Sequence, residues 1–153
     1  MPTIPSPEPF YPLAAPQWDQ AERDALAEVI ASDMFTMGER VRAFEAAFAA
    51  YHGRAHAVMV NSGSSANLVG IASQFFTEPA RLQRGDEVIV PALSWSTTFH
   101  PLQQYGLHLK FVDIDPHTLN IDTAALEAAL TPRTRMVMAV SILGNPCDFA
   151  ALQ

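Results

Sequence analysis

The sequence predicts an α/β protein with a mostly parallel sheet that is flanked by helices. Two observations support this prediction. From residue 55 onward, short apolar segments alternate with segments whose apolar residues have helical spacing. The short segments, HAVMV, EVIV, LKFV and RMVMAV, are apolar almost throughout, which is typical of strands that are covered on both faces in a parallel sheet.

Two helices are predicted before this alternation begins. Residues 1–16 contain six of the twelve prolines, so they are expected to form an extended arm, with a loose tail as the alternative. Pro16 then opens a helix that runs to about Ile30. A second amphipathic helix is predicted over residues 39–51, with Gly53 as its C-terminal cap.

The elements from residue 55 onward follow in a regular order. A strand over 55–60 leads into a helix over 64–76. The next predicted elements are a strand at 87–90 that Pro91 stops, a helix at 96–105 with Pro101 in its first turn or at a kink, a strand at 108–112, a helix at 122–130 that Asp122 caps, and a strand at 135–140. A loop over 141–148 follows, and another helix starts near residue 149. Because an α/β sheet is not expected to stop at Gln153, on a helix that has just begun, we expect the chain to be truncated.

The composition indicates a large buried surface. The chain has 153 residues, which suggests one domain. Of these residues 49% are hydrophobic and only 16% are charged, which implies more buried surface than a small monomer usually has. A subunit interface would explain the excess, and so would membership of a larger domain.

Charge and cysteine content exclude several classes of protein. The formal net charge is −7 and Lys110 is the only lysine, so the chain has no cationic cluster to neutralise nucleic-acid phosphates. No apolar run reaches the roughly 20 residues that span a bilayer, and the N-terminus lacks the pattern of a signal peptide. The single cysteine, Cys147, excludes an intrachain disulfide. These features predict a cytoplasmic protein that binds neither nucleic acid nor membrane.

The turn at residues 61–67, NSGSSAN, is the first candidate binding site. Gly63 lets the backbone approach a ligand closely, Ser64 and Ser65 offer hydroxyl and amide groups, and a helix that starts there directs its positive end at an anion. Helix capping by the serines is the alternative. The PALSWS and SILGNP loops follow other strands, and ligands bind at the carboxyl ends of strands in such sheets. This convergence favours an anion site.

Trp95, in the PALSWS loop, is the second candidate. An aromatic ring at a strand end can stack on a flat ligand, whereas a place in the core is the alternative. The hydroxyl groups of Ser94, Ser96, Thr97 and Thr98 surround it in sequence, which favours a solvated site.

The aspartates, histidines and cysteine of the chain are not predicted to form a catalytic or metal site. Asp113 and Asp115 follow a strand, and turn and capping chemistry suits them better than metal binding or acid–base work. The five histidines and Cys147 have no paired ligand spacing, so no metal site is predicted. The sequence contains no GxSxG motif for nucleophilic catalysis and no GxGxxG motif, which argues against a Rossmann nucleotide-binding module.

Five segments in order carry a resemblance to a known family: GERVRAFEAAFAAYHG, VNSGSSANLVG, GDEVIVPALSWSTTFHPLQQYG, FVDIDPHTLNID and LGNPCD. Together they resemble the DegT/StrS-type sugar aminotransferases, which are pyridoxal 5'-phosphate (PLP) enzymes of the aspartate-aminotransferase (type I) fold. The resemblance implies that residues 17–153 are the incomplete N-terminal part of a type I large domain. It also implies a homodimer that acts on a nucleotide-linked ketosugar in surface polysaccharide or aminosugar biosynthesis, with glutamate as amine donor.

The resemblance also assigns residues. It places Gly63, Ser64 and Ser65 at the cofactor phosphate and Trp95 on the pyridine ring. The loop at 144–146 matches a family loop near the active site, which in many aminotransferases has the sequence Tyr-Gly-x-Pro. Leu143 and Asn145 depart from that pattern. The sequence Leu-Gly-Asn resembles the 3-dehydrase branch of the family, in which a histidine replaces the Schiff-base lysine.

No catalytic residue is assigned within the chain. The resemblance implies that the Schiff-base lysine lies downstream of the 144–146 loop and beyond Gln153, and Lys110 does not match its position. Because a Schiff base needs an amine within reach of the cofactor aldehyde, the chain alone is expected to be inactive. The main hypothesis is a sugar aminotransferase that is truncated before this lysine. The alternatives are a nucleotide-sugar 3-dehydrase that uses PLP or its amine form, and a non-catalytic fragment.

Overall fold

The computed structural model describes residues 17–153, so the predicted arm at 1–16 lies outside the described residues. The chain divides into two compact units, with the boundary between Val58 and Met59. Within residues 17–153, none of the helices combines the length and the apolar character that crossing a bilayer requires. The assignment of 17–153 to one incomplete domain stays a prediction.

The unit of residues 17–58 contains two helices, α1 (Gln20–Ala31) and α2 (Glu39–Tyr51). The bounds of α2 are those predicted from the apolar spacing. Gly53 follows α2 with a left-handed backbone, φ 61°, as expected of a glycine that ends a helix.

Helix α1 begins later than the sequence predicted. A capping box at Asp19 and Glu22, rather than Pro16, sets its start. The amide of Ala21 donates a hydrogen bond to the Asp19 carboxylate at 2.7 Å, and the amide of Asp19 donates to the Glu22 carboxylate at 2.8 Å. These reciprocal bonds satisfy amides that the first turn leaves without intrahelical acceptors.

The unit of residues 59–153 is a three-stranded parallel sheet with helices on both faces. Its elements are α3 (Gly63–Phe76), β1 (Glu87–Pro91), α4 (Ser96–Gln104), β2 (His108–Val112), α5 (Thr123–Ala129), β3 (Thr134–Val137) and a 3₁₀ turn (Ile142–Gly144). The strand order is β2-β1-β3, and β1 pairs in parallel with both neighbours. The predicted parallel α/β fold is confirmed.

Strand β1 is the centre of the core. Val88 and Val90 pack on one face with Ile71 of α3 and Leu102 of α4, whereas Ile89 packs on the opposite face with the α5 side of the core. The uninterrupted apolar run EVIV therefore has a simple cause: both faces of the strand are covered, so no position favours a polar side chain.

A buried carboxylate, Glu87, lies at the amino end of β1. The hydroxyls of Thr131 and Thr134 donate to one of its oxygens at 2.9 and 2.7 Å, and the Arg133 guanidinium lies 3.8 Å from the other. The hydrogen bonds from Thr134 and Thr131 lower the pKa of the Glu87 carboxyl below its ordinary value, and the charges of Lys110 and Arg133 add to this effect. Glu87 thus links residues 131–134, which lead into β3, to the central strand β1.

The predicted strand at 55–60 is wrong, because these residues form no strand and the sheet of the described chain has three members. Apolar content indicates that a segment tends to be buried, but a strand also requires ladder hydrogen bonds to a neighbour. The sequence of the segment alone does not reveal whether such a neighbour lies beside it.

Two elements near the end of the chain are shorter than predicted. Strand β3 covers four residues instead of the six at 135–140, although the Met138 amide still donates to the Ile89 carbonyl at 2.9 Å. The helix predicted from residue 149 is a turn at 149–152, and Gln153 follows it without regular structure. The Asp148 carboxylate accepts hydrogen bonds from the first amides of this turn at 3.0 and 3.1 Å, as an N-cap does.

Candidate functional site

The carboxyl ends of the three strands lie at one edge of the sheet, because the strands are parallel. At this edge β1 continues into residues 92–95 and α4, β2 into 113–121, and β3 into 138–146. The PALSWS and SILGNP loops are therefore neighbours across the sheet. This is the edge at which ligands bind in open parallel sheets.

Helix α3 is capped by Ser62, and not by the two serines that follow Gly63. The Ser62 hydroxyl accepts a hydrogen bond from the Ser65 amide at 3.2 Å. The amides of Gly63 and Ser64 belong to the first turn, where no intrahelical acceptor exists, and no acceptor for them occurs among residues 17–153. The Ser62 hydroxyl caps the helix, whereas the amides of Gly63 and Ser64 stay available to an anion. Helix capping and anion binding at this turn are therefore compatible.

The surroundings of Gly63 fit a ligand with a phosphate group. A Cβ atom built at Gly63 would have no neighbour within 4 Å, so packing against the described residues does not require a glycine there. The first turn of α3 carries no acidic residue. An anion at this helix end would therefore be attracted by the helix dipole without repulsion from that turn.

Trp95 occupies the N-cap position of α4, and its side chain is 75% exposed. Trp95 therefore lies outside the core formed by the described residues. The hydroxyls of Ser94 and Thr98 lie 2.8 Å apart beside it, and no side chain caps the start of α4. An exposed indole at a strand end is available for stacking on a planar ligand, which stays a prediction.

A cavity of about 200 Å³ lies between α3 and α4. Ser64 and Ser65 line it from α3, and Thr97 and His100 are among the residues that line it from α4. Two of the four predicted site residues are thus brought together, whereas Gly63 and Trp95 are not part of the lining. Sequence reasoning missed His100, although its place one helical turn after Thr97 could have revealed it.

Helices α3 and α4 are joined near their starts by one side-chain hydrogen bond. Pro101 lies in the second turn of α4 rather than in the first turn, and it has no amide to donate to the Thr97 carbonyl one turn earlier. The side-chain amide of Asn67 donates to that carbonyl instead, at 3.3 Å. The sequence did not identify Asn67, although a proline inside a helix signals that a carbonyl four residues before it needs another donor.

The aspartates after β2 have the turn and capping roles that the sequence predicted. Asp113 accepts a hydrogen bond from the Ile114 amide at 2.8 Å, and Asp115 accepts one from the His117 amide at 2.7 Å. Asp122 caps α5 by accepting from its first amides at 2.9 and 3.0 Å. Their carboxylates are therefore engaged by backbone amides.

Lys110 lies away from the carboxyl edge, in the middle of β2. Its ammonium group donates a hydrogen bond to the Ala129 carbonyl at 2.6 Å, at the end of α5. A cation is favourable there because the carbonyls at a helix end carry partial negative charge. The lysine thus has a structural partner of its own. The position of the Schiff-base residue beyond Gln153 stays a prediction.

Comparison with known proteins places the chain in one family. The model of the DegT/DnrJ/EryC1/StrS aminotransferase family matches residues 16–153. The chain is 56% identical over 142 residues to GDP-4-keto-6-deoxy-D-mannose 3-dehydratase of Yersinia pseudotuberculosis, and 56% identical over 139 residues to the Escherichia coli protein of the same name. These matches cover 93% and 91% of this chain and 36% of each relative.

A more distant relative is the spore coat polysaccharide biosynthesis protein SpsC of Bacillus subtilis. It is 37% identical over 143 residues, which are 94% of this chain and 35% of that protein. The chain thus spans about a third of the length of the curated relatives that it matches.

Solved structures agree with this assignment. A GDP-4-keto-6-deoxymannose-3-dehydratase with a trapped PLP-glutamate geminal diamine and the E. coli enzyme with bound hydrated PLP both match with a TM-score of 0.89 at 55% identity. Each match covers 93% of this chain, and 37% and 36% of the respective structures. 3-Amino-5-hydroxybenzoic acid synthase matches with a TM-score of 0.75 at 37% identity, over 91% of this chain and 35% of that structure.

Proposed function

This chain belongs to the DegT/DnrJ/EryC1/StrS aminotransferase family, and we propose that the whole protein is a PLP-dependent 3-dehydratase of a nucleotide-linked 4-keto-6-deoxy sugar. The observation that carries this proposal is the 56% identity to two relatives with that activity in their names, against 37% and 36% for SpsC and a GDP-perosamine synthase. The Leu-Gly-Asn sequence at 143–145 supports it. The aminotransferase hypothesis is therefore replaced by its first alternative.

The residues at the start of α3 are proposed to hold the cofactor phosphate. The Gly63 and Ser64 amides and the Ser64 and Ser65 hydroxyls are the donors, and the dipole of α3 adds attraction. Trp95 is proposed to stack on the pyridine ring, which would fix the orientation of the cofactor. When bound, the cofactor would supply an electron sink for the negative charge that develops beside its linked nitrogen.

The proposed substrate is the GDP-linked sugar named for the two 56% identical relatives. Glutamate is proposed to donate an amino group to the cofactor, and this nitrogen leaves as ammonia rather than staying in the sugar. Glutamate is chosen because it is the amino acid found with PLP in one of the matching structures. Removal of the hydroxyl at carbon 3 without amination at carbon 4 distinguishes this activity from that of an aminotransferase.

The test uses the full-length purified protein, GDP-4-keto-6-deoxymannose, PLP and nitrogen-15-labelled glutamate. Mass spectrometry and NMR of the sugar product should show loss of the hydroxyl at carbon 3 and no label in the sugar. A labelled amino sugar would instead establish an aminotransferase. Parallel reactions without PLP and without glutamate control for spontaneous loss of water.

Residues 1–153 are proposed to be inactive on their own. The change of hypothesis also changes the residue that we expect beyond Gln153, from the lysine of the aminotransferases to the histidine of the 3-dehydrase branch. In either case the catalytic group is proposed to lie outside residues 1–153. Lys110, the only lysine of this chain, is bound to the Ala129 carbonyl, so it is not expected to take the place of that group.

The proposal that Lys110 does not react with PLP has a direct chemical test. Adding PLP to residues 1–153, followed by borohydride, should leave no pyridoxyl group attached to Lys110. Attachment at Lys110, detected by peptide mass spectrometry, would overturn this part of the proposal.

A cytoplasmic homodimer is the proposed physiological form. Phe44 and Phe48 of α2 lie with ring centroids 5.6 Å apart and are each about half exposed. Met34, Phe35 and Met37, between α1 and α2, are exposed as well. Large apolar side chains in one short region are typical of a surface that is covered by another subunit or by the rest of a longer chain. The mass of the full-length protein in solution, measured by light scattering, decides between monomer and dimer.

A further inference from the structure

Asn120 is a buried amide that holds the loop after β3. It is 5% exposed and lies at the carboxyl edge of the sheet, in the segment that follows β2. Its side-chain nitrogen donates hydrogen bonds to the carbonyls of Asn145 and Pro146, at 3.1 and 3.0 Å. Its side-chain oxygen accepts a hydrogen bond from the Ile142 amide at 3.1 Å. One side chain therefore binds both ends of the loop at 142–146.

The hydrogen bonds of Asn120 require an amide. Both carbonyls need a donor and the Ile142 amide needs an acceptor, and asparagine provides the two functions in one planar group. An aspartate of the same shape would place carboxylate oxygen against two carbonyl oxygens. The Asn145 side chain adds a reciprocal bond, since it donates to the Thr118 carbonyl at 2.8 Å. The loop is thus fixed to the segment after β2 at several points.

The loop that Asn120 holds contains a strained residue. Leu143 has a left-handed backbone, φ 51° and ψ 27°, and its side chain is 94% exposed. A left-handed conformation is unfavourable for a residue with a Cβ atom, and an exposed leucine gains nothing from burial to offset it. Strain of this kind persists where the surrounding structure enforces it, and it often marks a functional position.

The position of Leu143 at the edge of the sheet is the basis for proposing what its side chain contacts. It follows β3 at the carboxyl edge, and β3 pairs directly with β1, whose carboxyl end leads to Trp95. We propose that Asn120 is a positioning residue, which holds the 142–146 loop so that the Leu143 side chain makes an apolar contact with the sugar of the substrate. This inference rests on the proposed function, because it assigns the contact to the substrate of that same site.

The first arm of the test measures the loop itself in the full-length protein. Hydrogen exchange of the peptide that contains the Ile142 amide should become about tenfold faster in Asn120→Ala, since an ordinary hydrogen bond is lost. Asn120→Asp keeps the shape and the acceptor for the Ile142 amide but loses both donors to the carbonyls, so it should give a smaller acceleration and serves as the second variant if Asn120→Ala does not fold. Asn145→Ala, which loses only the exposed bond to Thr118, should have a smaller effect. Unchanged exchange in both Asn120 variants would overturn the positioning role.

The second arm separates a substrate contact from a structural role. Leu143→Gly relieves the left-handed backbone, so thermal stability should stay equal or rise while kcat/KM for the nucleotide sugar falls about tenfold through KM. The affinity for PLP, titrated by absorbance, should stay within about twofold of the original, because the proposed phosphate donors lie on α3. Unchanged kcat/KM would overturn the substrate contact, and so would a loss that accompanies a change of oligomeric state.

The two arms also distinguish failure of this inference from failure of the proposed function. If the unmodified protein does not act on the nucleotide sugar, the proposed function and the substrate contact both fall. The hydrogen-exchange arm still decides whether Asn120 holds the loop, because it needs neither substrate nor cofactor.

Discussion

The side-chain amide of Asn67 donates a hydrogen bond to the Thr97 carbonyl, and this is the carbonyl that Pro101 leaves without its helical donor. A side chain of α3 thus replaces a backbone amide that α4 lacks. The bond also fixes the relative position of the Ser64 and Thr97 sides of the cavity between the two helices. A defect in α4 is therefore compensated by a bond that also aligns the two helices at whose starts the proposed cofactor-binding residues lie.

Removing the Asn67 side-chain donor should destabilise the protein strongly only while residue 101 is proline. We expect Asn67→Ala to lower the free energy of unfolding by about 1 kcal/mol, because the Thr97 carbonyl loses its partner. Pro101→Ala supplies a backbone amide for the same carbonyl, so Asn67→Ala should cost much less in that background. Chemical denaturation of the two single variants and the double variant measures the coupling. Equal costs of Asn67→Ala in both backgrounds would show that the missing amide of Pro101 is irrelevant.

Two glycines of α3 offer a matched pair for the phosphate proposal. Gly63 and Gly70 both have space for a Cβ atom, and alanine is the better helix former. Gly63→Ala and Gly70→Ala should therefore both preserve or raise thermal stability in the full-length protein. Only Gly63→Ala should weaken PLP binding, by about tenfold, because the methyl group blocks close approach of the phosphate to the backbone. Equal PLP affinity in the two variants would contradict the placement of the phosphate.

Trp95 should matter for the cofactor and not for the fold. Because its side chain is 75% exposed, we expect Trp95→Ala to change the free energy of unfolding by less than about 0.5 kcal/mol. The loss of an aromatic stacking contact should weaken PLP binding by about tenfold, and Trp95→Phe should restore part of it. Absorbance titration and thermal melts of the full-length protein measure both quantities. A large loss of stability with unchanged affinity would assign Trp95 a structural role.

Glu87 should make stability depend on pH. Its folded-state pKa is lowered, so its ionised form stabilises the fold above the pKa of the unfolded state, and this contribution disappears as the pH falls through the folded-state value. Glu87→Gln keeps an oxygen that can accept from Thr131 and Thr134 but removes the charge. The difference in unfolding free energy between the two proteins should therefore shrink between about pH 6 and pH 3. A constant difference across this range would contradict the coupling.

Much of the fold followed from local chemistry in the sequence. The apolar runs, the helical spacing and the capping residue Asp122 predicted β1, β2, α2 and α5 to within a residue or so. These features depend on residues close together in the chain, and so they are recognisable without a structure. The family resemblance, carried by five segments, was confirmed by the match to residues 16–153.

The candidate site was only partly recognisable. Gly63, Ser64 and Ser65 stand out as a run of small residues at a helix start, and Trp95 stands out as a large aromatic residue in a loop after a strand. Asn67 and Asn120 do not stand out, because asparagine near a turn suggests only local hydrogen bonding.

The sequence by itself determined the parallel α/β class, the order of the elements and the family. The tertiary structure decided which groups meet: Asn67 binds a carbonyl 30 positions away, and Asn120 binds carbonyls 25 and 26 positions away. It also decided that Trp95 is exposed and that residues 55–60 form no strand. The physical reason is that propensity and capping act within a few residues, whereas hydrogen-bond partners and strand neighbours are set by packing between distant segments.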